Sequence, residues 1–178
     1  MRRFFNRLGC NLGRRLGPAW IQVLAALLAL LIGVAVYLLD RSPERVYFIP
    51  DAWSTGEFSG TFFGPVGLYL PTFTHTFGFS LLTAVVLRPS RWAAVAGCLL
   101  WWITGSLLEV AQSNAMASWI ARNLPIWFAD WPVLDNAANY FLAGAFDPLD
   151  LLSIFLGALV AWIVLLLTRR LEHNSQAT

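Results

Sequence analysis

Apolar and polar positions separate along the chain into four long apolar runs joined by polar segments. Ala19 to Leu39 is 21 residues without a charge, enough to cross a hydrocarbon core about 30 Å thick. Phe62 to Leu87 is apolar but interrupted by Gly64-Pro65 and Pro71. Proline suits the first turn of a helix, so the spacing predicts a helix over 70–87. Trp92 to Val110 predicts a third helix over 92–111, and Leu149 to Leu167 a fourth over 149–168, ended by Arg169-Arg170. The expected fold is all-α, a four-transmembrane-helix bundle.

The intervening segments differ in kind. Residues 40–61 mix Asp40, Glu44, Asp51 and Glu57 with Arg41, Arg45 and prolines, which forbids a long helix. Residues 88–91 form a short basic turn. Residues 113–145 are long and aromatic, with Trp119, Trp127, Trp131, Tyr140 and Phe141. Ser113–Leu124 and Asp135–Leu142 can each make a short helix. Tryptophan at this density predicts interfacial helices in the headgroup layer, or a surface for another membrane subunit, which Trp119, Trp127 and Trp131 would contact. The organisation is a basic segment 1–17, a membrane domain 18–170 and a tail 171–178.

Composition sharpens this. The chain is 58% hydrophobic and 12% charged, against about 25% charged in soluble domains, which leaves no room for a separate soluble domain. All twelve basic residues are arginine, and the net charge is +2, so no basic face points to nucleic acid. Nine arginines fall in the N-terminal segment, the 88–91 turn and the C-terminal tail, and three in the other two loops. The positive-inside rule then puts both termini in the cytoplasm, with 40–61 and 113–145 outside. Within 1–17, Phe4, Leu8, Leu12 and Leu16 line one side of a helix that Gly9, Gly13 and Gly17 weaken. That segment either lies on anionic lipid or is a solvated topogenic tail. Cys10 and Cys98 have no metal-ligand spacing.

Candidate chemistry gathers at the outer ends of the spans. Asp147, Pro148 and Asp150 fit the N-cap, N1 and N3 positions of the last helix. Glu109 and Gln112 share a face at the end of the third, and His75 lies early in the second, about two turns deeper. The topology puts all five in the outer half of the membrane. Each also has an ordinary reading. The aspartates cap a helix, Glu109 lies in the headgroup layer near Arg122, and His75 bonds a backbone carbonyl. Capping does not account for Glu109, because a helix C-terminus disfavours a carboxylate. Carboxylates with a histidine could also hold a divalent cation. No catalytic triad, zinc motif or phosphate loop is present, and no cofactor is indicated.

On these residues the sequence resembles the VanZ-like family of small bacterial membrane proteins, over about residues 71–165. The resemblance rests on His75 with Phe79 opening a span, Glu109 with Gln112 closing the next, and Phe146, Asp150 and Gly157 in the last. It departs where the family often has Asp-Lys, here Pro71 and Thr72, where it has arginine, here Gly144, and where it has asparagine, here Ile154. The resemblance implies a role in the cell envelope. Two readings follow. One is an inner-membrane protein binding an envelope lipid or glycolipid head group through Glu109, Gln112, Asp147, Asp150 and His75. The other is a non-catalytic structural or accessory subunit of a larger membrane complex.

Overall fold

The computed structural model describes residues 2–41, 62–87, 91–131, 134 and 137–177, without the side chains of 2–18, 91 and 171–177. The polar loop 42–61, the centre of the basic turn, Asp135, and the apolar side of 1–17 with Cys10 lie outside the described residues. Among the described residues all regular structure is helical. In chain order these are α1 (Arg2–Asp40), a 3-10 turn (Gly64–Leu68), α2 (Leu70–Val86), α3 (Arg91–Ala111), α4 (Asn114–Asn123), a second 3-10 turn (Ile126–Asp130), α5 (Ala137–Ala143) and α6 (Pro148–Ala177). Residues 2–17 are continuous with the first apolar run in α1, and residues 171–177 likewise continue α6. Each extension prolongs an existing helix, which needs no new nucleus.

Three stretches are long and apolar enough to cross a membrane: Ala19–Asp40, Trp92–Ala111 and Pro148–Arg170. Only 22–33% of each apolar window is buried, so most of their side chains face outward. Trp20, Leu24 and Leu31 on α1, Leu99 and Ile103 on α3, and Leu152 and Ile163 on α6 are all exposed. A soluble monomer rarely leaves so much contiguous apolar surface open.

The shortest of the four long helices sits in the middle. α2, with 17 residues, packs against α1, α3 and α6, while α6 also touches α1 and α3. Its faces bury Thr74, Thr76, Phe77, Gly78, Ser80 and Leu81. Contact with α2 is made by small residues, as close helix packing in lipid requires. A Cβ on Gly157 of α6 would lie 2.6 Å from the Phe73 carbonyl oxygen, and one on Gly78 would lie 2.8 Å from Leu30 of α1. Ala26, Ala94 and Ala161 complete the core around Leu81. Side-chain bonds also cross between helices in this core: Gln22 Nε2 donates to Thr168 Oγ1 at 2.7 Å and Trp101 Nε1 to Thr83 Oγ1 at 2.8 Å.

Candidate functional site

The polar residues meet where α3 ends and α6 begins. Asp147 is the N-cap of α6. Its Oδ1 accepts from the Leu149 N–H at 2.8 Å, and proline at the next position brings no N–H to satisfy. In a capping box the residue three positions on would reach back to the N-cap backbone N–H. Asp150 does not. That N–H donates instead to Glu109 Oε1, 2.7 Å away on α3. Glu109 is 5% exposed. A carboxylate that its own helix C-terminus disfavours thus sits at the positive N-terminus of another helix. This explains Glu109 without a ligand.

Asp150 turns to α2. Its Oδ1 lies 2.9 Å from the Thr72 hydroxyl, which also has the Tyr69 carbonyl within 2.7 Å and one proton to share between them. The phenol of Tyr69 faces the Asp147 carboxylate. Arg41, at the end of α1, donates to the Leu68 carbonyl at 3.2 Å, and its charge reaches Asp150 and Tyr37. Gln112 Nε2 donates to the Tyr140 oxygen at 3.0 Å, tying α5 to the end of α3. Burial raises the Tyr140 phenol above its ordinary pKa. The Gln112 bond acts against this, while Tyr37, Glu109 and Asp150 add to it. Gly144 lies against the Gln112 side chain, leaving a Cβ there 2.6 Å from Gln112 Cδ.

Four of the five residues expected from sequence are therefore brought to one end of the bundle, and His75 is not among them. Its ring lies between Tyr37 (centroids 6.2 Å apart) and Phe79 (5.9 Å), and Phe79 stacks on Trp101 at 4.6 Å. Among the described residues no group of three or more His, Cys, Asp or Glu side chains could hold a metal ion. Sequence reasoning passed over Tyr37, Arg41, Tyr69 and Tyr140 as members of the cluster. Their signal was a polar tip at each span end on the same side, which only helix packing could bring together.

Beside this cluster a groove of about 250 Å³ opens between the first 3-10 turn, α2 and α6, lined by Val66, Tyr69, Leu70, Phe73 and Ser153. On the other flank α4 packs on α5. Met116, Trp119, Ile126, Trp127 and Trp131 in this region are exposed, Ile126 by 92%.

The helices, their outward apolar faces and the polar cluster at one end define a multi-pass membrane protein. No protein-family model, curated protein or solved structure matches the chain.

Proposed function

We propose that the protein is an inner-membrane protein of the VanZ-like type, binding an envelope lipid or glycolipid head group at the outer leaflet. In this reading α2 is the fourth span, the termini are cytoplasmic, and α4 and α5 lie at the membrane interface. The observation that carries it is the adjacency of Asp147, Asp150 and Tyr69 to the apolar groove. A lipid needs such a pair, a polar seat next to an apolar channel. Glu109 holds the start of α6 and Gln112 ties α5 to the end of α3, and so both act as positioning residues. His75 packs under the site behind Tyr37. The two positions where the resemblance expects a basic residue, 72 and 144, adjoin Asp150 and Gln112 here, which supports the likeness in arrangement. It also leaves the carboxylates without those cations.

Extraction from native membranes in a mild detergent, then native mass spectrometry, tests this. The protein travelling alone with a retained lipid supports the reading. A partner at fixed stoichiometry overturns it in favour of an accessory subunit. That second reading draws on the exposed Trp119, Trp127 and Trp131, at 57, 54 and 61%. Changes at these residues would then release the partner.

A further inference from the structure

The groove has a chemistry at each end. It is lined by Val66, Tyr69, Leu70, Phe73 and Ser153, and its surface is almost wholly apolar. Its volume, about 250 Å³, falls below the roughly 300–1,000 Å³ of small-molecule pockets. It suits a length of one hydrocarbon chain. At Tyr69 the groove meets charge. The Tyr69 phenol faces Asp147, and the Asp150 carboxylate stands one helical turn before Ser153, held by Thr72. Arg41 approaches the same mouth through its bond to the carbonyl of Leu68, next to Tyr69. A guanidinium carries five donors, so one carbonyl leaves it able to meet an anion.

We propose that the groove docks one acyl chain of an aminophospholipid, whose ammonium meets Asp147 and Asp150 while its phosphate meets Arg41. This rests on the lipid-binding reading above and adds the class of lipid. Charge complementarity selects it. An anionic phospholipid would bring a phosphate to two carboxylates with a single guanidinium to offset them. A neutral glycolipid would leave all three charges unanswered. A zwitterion with its cation outermost brings an opposite charge to the carboxylates and to the guanidinium alike.

The test uses the full chain in mild detergent, given an equimolar mixture of dioleoyl phosphatidylethanolamine, dioleoyl phosphatidylglycerol and a dioleoyl glucosyl glycerolipid. Native mass spectrometry reads which lipid stays bound. Phosphatidylethanolamine should be retained about fivefold over either competitor, the upper end for one part-exposed charge pair. Asp147→Asn with Asp150→Asn keeps a capping side chain and should erase the preference. Arg41→Gln should weaken both phospholipids and spare the glycolipid. Val66→Trp, or Ser153→Phe from the opposite wall, should close the groove to all three. Equal retention of the three lipids, or preference for another, overturns the aminophospholipid assignment while groove-dependent binding still stands. Retention of none, or retention indifferent to both groove-filling variants, sinks lipid binding at this site altogether.

Discussion

The bond from the Asp147 N–H to Glu109 offers the most direct test of how this end of the protein is built. Glu109→Ala removes a buried acceptor from a helix N-terminus and leaves that N–H with no protein partner. Orphaning a buried donor costs about 1–3 kcal/mol, and hydrogen bonds to charged groups contribute about 1.5–3. The lost side-chain volume adds to this. A total of about 2–3 kcal/mol is expected. Glu109→Gln keeps a carbonyl oxygen at the same reach and loses only the charge, about 1 kcal/mol at a helix terminus. For a chain of 178 residues, each kcal/mol moves Tm by about 2–4 °C. Glu109→Gln should therefore melt about 2–4 °C below the parent protein, and Glu109→Ala about 5–10 °C below. Thermal unfolding in one detergent, followed by tryptophan fluorescence, reads both. Equal losses from the two variants, or none from either, would refute the claim that Glu109 acts as an acceptor for α6.

Other substitutions probe other parts of the arrangement. Gly157→Ala puts a methyl group 2.6 Å from the Phe73 carbonyl oxygen. Forcing α6 from α2 should cost about 1–3 kcal/mol, read as a lower Tm. Gly105→Ala meets the Ile154 side chain at 3.1 Å, a smaller overlap with a side chain and not with backbone, and should cost less. Tyr140 has its pKa raised by burial above the ordinary value of 10.0. Its contribution to stability is thus full below pH 10 and lost as pH rises through the folded value. Tyr140→Phe should flatten that alkaline loss, and ultraviolet absorbance of tyrosinate should show one phenol fewer ionising late. Trp119, Trp127 and Trp131, if they lie in the headgroup layer, should be quenched by lipids brominated near the glycerol. Protection of all three in native membranes and not in purified protein would point to a partner covering them.

Much of the helix pattern was legible because hydropathy writes it directly. Proline at 71 and 148 marks helix starts, and α2 and α6 begin one residue before and at those positions. The Asp147 cap was readable from Asp-Pro alone, since the chemistry of a helix N-terminus is local. The role of Glu109 was not local. Its partner is an N–H 38 residues away, and spacing cannot say which helix end a carboxylate will meet. The expected topology already put Glu109 and the start of α6 in the same half of the membrane. The same reasoning set His75 deeper, and its ring is stacked between Tyr37 and Phe79. The centrality of α2 was hidden for another reason. A helix enclosed on three sides carries its information in small residues on its neighbours, Gly157 and Gly97 among them, whose hydropathy is unremarkable.

The arrangement divides one constellation into two jobs. A carboxylate that caps a neighbouring helix has its strongest acceptor committed, and Glu109 is buried as well, so it is poorly placed to greet a ligand. Gln112 is committed to Tyr140 in the same way. Asp150, by contrast, meets a hydroxyl that it shares with a backbone carbonyl, and Asp147 uses one oxygen on Leu149. These two keep acceptor capacity, and they are the two beside the groove. Glu109 therefore fixes where α6 begins, Gln112 ties α5 to the end of α3, and the start of α6 carries Asp147 and Asp150. In the lipid-binding reading, loss of Glu109 should disturb retention only as far as it moves α6, whereas Asp147→Asn with Asp150→Asn, which keeps a capping side chain, should change which lipid is kept while the fold endures.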